Sequence, residues 1–522
     1  MIHLARAQSA LEQTIRQHAA RQPKEVWLKW KDGGYSYADV LSNTQRAANG
    51  LAALGVKPGE RVAIMMGNRP EFLWVHFGIN FIGAHSVPIN TSQRGATLQH
   101  ILANSDSVAV VFENTLRDAV LSVKDKVPTL RATVVADGPA GKGVDWTLDQ
   151  LLSHPDREPD IEVKEPSAAV GMMYTSGTTG PPKGVVATGY DMSPLAIMFQ
   201  AISVKPGETM YTPLPLFHGN ALLISAIGSI TIGAKLALAE KFSASRFWDD
   251  CRKYDAVEFN TLGAMIPILM KQPPKPNDRD NPVRVVLSAA CPANVWREFE
   301  QRFDVRLIEF YGMVDSPGFL MNDGGKVGAM GKPMGGVEFR VVDDHDQPLP
   351  PGKIGELVFR HPRGPLTLYY KLPEATAEAY RGGWFHSGDL AEYDEEGFYY
   401  FRGRKKASMR RRGENISAWE IESVLNEHPS VLESAAYAVP SDLGEDEVMV
   451  AVVLRPGESL SPEALLDFCQ GRMAHYAIPR YVDFVEEIPK TGTHRVQYGV
   501  LRERGITETA WDREKAGYQV KK

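Results

Sequence analysis

From about Tyr37 onward the chain alternates helical and strand periodicities, and no other feature narrows its fold so far. Val40 to Leu54 repeats apolar residues at helical spacing, and Arg61-Val62-Ala63-Ile64-Met65-Met66 has the length of a short strand. Glu71 to Phe81 is helical again, Ala84 to Ile89 reads as a second buried strand, and Val108 to Phe112 and Thr133 to Ala136 continue the series. Such a rhythm builds parallel sheets covered by helices, with ligands at the carboxyl ends of the strands. A second run extends from Asp191 to about Glu309, with strands at Lys235 to Leu238, Ala256 to Asn260 and Val283 to Ser288. The expected class is α/β, with two parallel-sheet subdomains in a large N-terminal domain.

The texture changes after about Gly331. Val337 to Asp343, Gly355 to Arg360 and Gly397 to Phe401 are short strands between Pro/Gly turns, as in a small β-barrel. A charged segment, Arg402 to Arg412, then precedes a compact α+β tail. In that tail Trp419 to Glu427 and Pro462 to Met473 read as helices, and Val431 to Val439 and Val448 to Leu454 as strands. The boundary between a large and a small domain falls near Arg402 to Ser408.

One segment is neither helix nor strand throughout. Tyr174-Thr175-Ser176-Gly177-Thr178-Thr179-Gly180-Pro181-Pro182-Lys183-Gly184 holds four aliphatic hydroxyls, three glycines and one lysine. Glycine lets successive N–H groups point one way and form an anion-binding concavity. The hydroxyls add rotatable donors, and Lys183 adds a point charge suited to phosphate. Pro182 sits where the common NTPase loop needs its second glycine, so this is a different phosphate loop. The alternative is a polar surface turn. Against it stand the apolar flanks, Ala168 to Met173 and Val185 to Ala187, which read as buried strands.

Composition excludes several classes. The 522 residues are 43% apolar and 23% charged with a net charge of −6, and no basic stripe of domain scale marks a nucleic-acid partner. Cys251, Cys291 and Cys469 are odd in number and far apart, which suits a reducing compartment and neither a disulfide framework nor a zinc site. The N-terminus, Met1 to Arg6, lacks the apolar core of a secretion signal. The apolar stretch from Ala221 to Ala239 is interrupted by Ser, Thr, Gly and Lys235, and reads as helix, turn and strand rather than a membrane span. A cytoplasmic protein is expected.

Further motifs fall in the order of one family: Phe217-His218, Ser288-Ala289-Ala290, Tyr311-Gly312-Met313, Gly355-Glu356-Leu357, Trp384-Phe385-His386-Ser387-Gly388-Asp389 and Gly403-Arg404. Together with the phosphate loop they make the chain resemble the adenylate-forming superfamily of acyl-CoA synthetases, firefly luciferase and nonribosomal peptide adenylation domains, from about Leu11 to Leu501. Glu240 to Ala244, Gln272-Pro273-Pro274 and Met473 to Tyr481 are similar to crotonobetaine/carnitine–CoA ligases. The resemblance implies an N-terminal AMP-binding domain over 1–402, a hinge at 403–408 and a mobile C-terminal domain over 409–522.

It also implies a chemistry. A carboxylate is a poor electrophile, so it is first joined to AMP, and positive and hydrogen-bonding groups must hold the two anions that meet. By resemblance Thr175, Ser176, Gly177, Thr178, Thr179, Gly180 and Lys183 grip the triphosphate of ATP, with Mg²⁺ bridging its oxygens. Tyr311-Gly312 stacks on adenine, and the backbone of Ser288, Ala289 and Ala290 lines its other side. Asp389 accepts from both ribose hydroxyls, with Arg404 nearby. His218 gates the acyl pocket, lined by Leu262, Gly263, Ala264 and Met265. Gly413, Glu414 and Asn415 admit the arm of coenzyme A, and Gly413 also reads as a simple turn leading into a helix.

Four places depart from the family pattern. Val314-Asp315 replaces Thr-Glu, so the metal-side carboxylate, Asp315, stands on a shorter arm. The hinge residue is Lys406, with Ala407 where an acidic residue often follows. Arg410-Arg411-Arg412 is fully charged, either a solvated face or a clamp on the 3′-phosphate of coenzyme A. In Pro489-Lys490-Thr491-Gly492-Thr493-His494-Arg495-Val496, Arg495 stands where the family has the lysine that bridges substrate carboxylate and α-phosphate. Arginine keeps the charge but not the shape, and Lys490 is the alternative donor. The expected activity is an ATP-dependent carboxylate–CoA ligase acting on a small organic acid, with a homodimer as the expected assembly. The rivals are a carrier-loading adenylation enzyme and a catalytically weak AMP- or acyl-binding protein.

Overall fold

The computed structural model describes residues 8–165, 171–175, 181–187, 193–262, 265–404, 408–441, 444–489 and 496–520. The chain divides into two compact units. The first comprises 1–91, 102–174 and 184–402; the second comprises 92–101, 175–183 and 403–522.

Within the first unit the expected alternation produces two sheets. Ser36 caps the helix Tyr37–Ala53: its hydroxyl accepts the Asp39 N–H and the Asp39 carboxylate accepts the Ser36 N–H, a capping box that starts the helix where the periodicity begins. Val40, Ala47, Ala48 and Leu51 form its buried stripe. The next helix, Pro70–Phe81, buries every residue except Glu71, so it is a core helix rather than an amphipathic cover. The first sheet is five-stranded and parallel, in the order His85–Pro88, Arg61–Met65, Ser107–Phe112, Ala132–Val135 and Trp146–Thr147.

The second sheet has nine strands. Its centre is parallel, running Arg306–Met313, Val285–Ala289, Ala256–Leu262, Thr209–Thr212, Lys235–Leu238 and Val26–Trp30. Antiparallel strands close both edges: Ser316–Asn322 with Lys332–Pro333 on one side, and Gly33–Ser36 on the other. The Val26–Trp30 strand precedes all strands of the first sheet yet pairs with Lys235–Leu238 in the second, a long-range choice that periodicity does not reveal. The small barrel expected after Gly331 is a four-stranded half-barrel sheet in the order Glu338–Val342, Gly355–Arg360, Phe385–Tyr393 and Tyr399–Arg404, its first three strands antiparallel. Of the strands expected to flank the phosphate loop, Met173–Thr175 and Lys183–Ala187 are present, and residues 185–187 pair with Thr367–Tyr369. Residues 166–170 lie outside the described set.

The second unit carries its own core. Val431–Pro440, Asp446–Leu454, Tyr481–Phe484 and Trp511–Asp512 form a mixed sheet covered by the helices Ala418–Leu425 and Pro462–Cys469. A hairpin, Ser408–Arg411 with Glu414–Ser417, turns through Arg412 and Gly413. Both turn residues have positive φ, 54° and 80°, the geometry of the two-residue turn that matches strand twist. Gly413 therefore sits in a hairpin turn, not in a turn into a helix. The arginine run is not a uniformly solvated face. Arg412 is exposed, but Arg411 is buried at 3% exposure, paired with Glu447 and donating to the Tyr476 and Ile478 carbonyls at 2.9 Å. Strand alternation turns the middle arginine into the core, where a carboxylate and two carbonyls satisfy it. Among the described residues no helix is long and apolar enough to cross a membrane.

Candidate active site

The site takes shape where parallel strands of the nine-stranded sheet end. Ser288 is the last fully buried residue of its strand; Ala289 is half-buried and Ala290 exposed, so the backbone emerges there. Ala290 has a φ of +69°, uncommon for a residue with a side chain. The Glu309 carboxylate holds this bend: it accepts the N–H of Ala290, and that of Cys291 at 3.2 Å. Sequence reading passed over Glu309, a lone glutamate inside the apolar run Leu307-Ile308-Glu309-Phe310. The Ser288 hydroxyl is buried and makes no hydrogen bond among the described residues.

Next to this bend, Tyr311 and Asp389 meet. The Tyr311 hydroxyl donates to Asp389 Oδ2 at 2.7 Å, across 78 positions of sequence. Asp389 is 3% exposed, and its own N–H donates to Ser387 Oγ at 3.0 Å. The two residues expected on opposite ends of a nucleoside are thus one hydrogen-bonded pair. An aromatic face and a carboxylate joined in this way are suited to a base and a ribose.

Asp315 follows the Tyr311-Gly312-Met313-Val314 run. Its Oδ2 accepts from the Tyr369 hydroxyl at 2.7 Å, and its carbonyl accepts from the Thr367 hydroxyl. Burial and the adjacent carboxylate push the Tyr369 phenol well above its ordinary range, which keeps it a donor. Neither Thr367 nor Tyr369 carries a family motif, and sequence reading missed both. A group of three or more His, Cys, Asp or Glu that could hold a metal does not occur among the described residues.

His218 stands at the start of an irregular helix. Its ring meets Phe217 edge to face at 4.8 Å, and its carbonyl accepts the Leu222 N–H. A Cβ at Gly219 would lie 3.1 Å from Val314 and 3.6 Å from the Met173 methyl, so the His218-Gly219 corner adjoins the Tyr311–Asp315 run. The following Asn220–Ile227 segment is a π-helix, a form frequent at functional sites. The Asn260 amide, fully buried near the end of its strand, donates to Asn220 Oδ1 at 2.7 Å and Ser225 Oγ at 3.1 Å. Leu262 and Met265 flank this end of the strand; Gly263 and Ala264 lie outside the described residues.

The structure thus brings together His218, Ser288, Ala289, Ala290, Tyr311, Gly312, Asp315 and Asp389 in the first unit. Thr175 and Lys183 end and begin their strands in the second unit, where Gly413, Glu414 and Asn415 form the hairpin. Ser176, Gly177, Thr178, Thr179, Gly180, Lys406, Ala407, Lys490 and Arg495 lie outside the described residues, as do the side chains of Arg404 and Asn415.

Comparison with known proteins follows the same outline. The family described as AMP-binding enzyme matches residues 15–370, and the AMP-binding enzyme C-terminal domain matches residues 420–495. A crotonobetaine/carnitine–CoA ligase of Shigella flexneri is 31% identical over 479 residues, covering 88% of this chain and 92% of the relative. Among solved structures, the o-succinylbenzoate CoA synthetase of Bacillus subtilis superposes with a TM-score of 0.81 at 23% identity, covering 96% of this chain and 99% of the other. The Mycobacterium tuberculosis fatty acyl CoA synthetase gives 0.65 at 26% identity, covering 95% and 98%.

Proposed function

The chain belongs to the AMP-binding enzyme family and is an AMP-forming carboxylate–CoA ligase, and from that premise we propose which residues do the work and which acids they serve. The Tyr311–Asp389 hydrogen bond carries the assignment of the nucleotide end. Asp389 accepts from the ribose, Tyr311 lies against adenine, and the bend at Ala289-Ala290 borders the base on its other side. Thr175, Lys183 and the hydroxyls between them hold the phosphates.

In the first half-reaction a carboxylate oxygen of the acid attacks the α-phosphorus and pyrophosphate leaves. Arg495 supplies positive charge to the two anions as they approach, the role electrostatics assigns to a cation at this step. In the second, the thiolate of coenzyme A attacks the acyl carbonyl and AMP departs with the bonding pair. Gly413, Glu414 and Asn415 attend that acceptor. Mg²⁺ fits the residues present, because the ion ordinarily takes one or two carboxylates together with substrate phosphates and water, and Asp315 offers one. When bound, it would neutralise phosphate charge. The three cysteines are free and buried, which supports a cytoplasmic setting.

For the acid, the reading is a small polar carboxylate. Beyond the His218 corner stands a polar cluster, the half-buried Asn220 with the buried Ser225 and Asn260, and Asn260 Oδ1 makes no hydrogen bond among the described residues. Buried polar groups discriminate strongly against ligands that cannot pair with them. The naming of the Shigella flexneri relative as a crotonobetaine/carnitine–CoA ligase points the same way. The test is ATP- and CoA-dependent AMP release across small polar, fatty, aromatic and dicarboxylic acids. The highest kcat/KM is expected on a small polar acid. A preference for long-chain or aromatic acids would refute the assignment of the pocket, and pyrophosphate exchange without thioester would transfer the acceptor role from coenzyme A to a carrier protein.

A further inference from the structure

We propose that Glu356 is a positioning residue for the nucleotide: it holds the turn that presents Asp389. The Gly355-Glu356-Leu357 and His386-Ser387-Gly388-Asp389 motifs lie on paired antiparallel strands, Gly355–Arg360 and Phe385–Tyr393. The register between them slips between Glu356 and Val358, and Ser387, Gly388 and Asp389 fall in the slip. A slip of this kind leaves backbone donors without ladder partners. Side chains fill them here. Glu356 Oε1 accepts the Gly388 N–H at 3.2 Å, and Ser387 Oγ donates to the Leu357 carbonyl at 2.6 Å while accepting the Asp389 N–H at 3.0 Å. Gly388 has a φ of +71°, a conformation that residues with a Cβ adopt rarely, so the turn is specialised rather than generic.

Glu356 is itself held on the far side. It is 5% exposed, and its Oε2 lies 3.3 Å from Arg381 and 3.4 Å from His386 Nδ1. Arg381 is in turn forked onto Asp346 at 3.1 and 3.2 Å. The Glu356 carboxylate therefore cannot swing away without breaking a charge-assisted contact, and it transmits that rigidity through the backbone N–H of Gly388, the residue before Asp389. Its action on Asp389 runs through the turn.

This inference rests on the assignment of Asp389 to the ribose, and the experiment separates the two. KM and kcat are measured for ATP, acid and coenzyme A in Asp389→Ala, Glu356→Ala and Glu356→Gln, with AMP binding followed by calorimetry. Glu356→Ala is expected to raise KM for ATP about tenfold while leaving KM for the acid and coenzyme A within about twofold. Glu356→Gln retains an oxygen for the Gly388 N–H and should recover most of that loss. If Asp389→Ala weakens AMP and Glu356→Ala does not, the positioning role is overturned and the ribose assignment stands. If neither weakens AMP, the ribose assignment itself falls. Equal losses for all three substrates, or a glutamine variant no better than alanine, also overturn the proposal. Should Glu356→Ala not fold, Ser387→Ala reads the same turn: a rise of about threefold in KM for ATP alone is expected, and no change counts against it.

Discussion

Two buried charges, one in each unit, are accommodated in opposite ways. In the large unit Glu258 lies in the middle of the nine-stranded sheet, fully buried, with neither carboxylate oxygen hydrogen-bonded among the described residues. Burial raises its carboxyl well above the ordinary range, which favours the protonated, neutral form. In the small unit Arg411 is as deeply enclosed, but Glu447 neutralises it and two carbonyls accept from its Nη1. Burial pulls the Arg411 guanidinium down to about 10, with Glu447 opposing that shift, and the side chain remains a cation at neutral pH. A carboxylate can shed its charge by taking up a proton at modest cost. A guanidinium has no such escape, so it must be buried together with its partner. Asp389 stands between the two cases, a buried carboxylate held by a hydroxyl.

The sharpest way to break this contrast is Glu447→Ala. Stripping Arg411 of its counter-charge should cost about 3–5 kcal/mol in the stability of the small unit, read by denaturant unfolding. A loss below about 1 kcal/mol would show that the pair is not what holds Arg411. Asp389→Ala should cost about 2–3 kcal/mol of AMP affinity by calorimetry, because charge-assisted hydrogen bonds to a buried carboxylate disappear. Unchanged affinity would leave Asp389 a structural partner of Tyr311 alone.

The proton-neutralised side of the comparison is tested by pH. Because the folded carboxyl of Glu258 is raised above its unfolded value of about 4.3, its contribution to stability is fully present below that value and is lost as pH rises toward the folded one. Glu258→Gln removes this dependence, so the melting temperature of the variant relative to the parent should climb steadily from pH 5 to pH 8. A pH-independent difference would mean that Glu258 is charged in the fold. Glu420 offers the milder version in the small unit: burial, with Glu414 adding to it, raises its carboxyl to about 7. Glu420→Gln should show the same sign, but its gain should level off near pH 7, where the folded group ionises too. Continued growth above that pH would place Glu420 with Glu258.

Much of the fold is readable in the sequence because sheet and helix periods are local. Val40 to Leu54 and Glu71 to Phe81 announce helices by the spacing of their apolar residues, and the observed helices begin or end within a few positions. The proposed nucleotide end is readable for a different reason: Ser288-Ala289-Ala290, Tyr311 and Asp389 lie in motifs, even though the sequence says nothing of their distances. Glu309, Tyr369 and Glu356 escape notice as functional supports because each acts on a backbone group or carboxylate far along the chain. A glutamate in a strand looks the same whether it faces water or pins a bend.

By itself the sequence determined the class of the fold and the parallel strands whose ends build the candidate site, both of which follow from short-range pattern. Only the tertiary structure decided that Val26–Trp30 pairs with Lys235–Leu238, that Tyr311 donates to Asp389, and that Arg411 rather than Arg412 enters the core. These outcomes depend on which distant groups meet when long loops close. A buried donor, acceptor or charge takes whichever partner the packed fold supplies, and no local period encodes that choice.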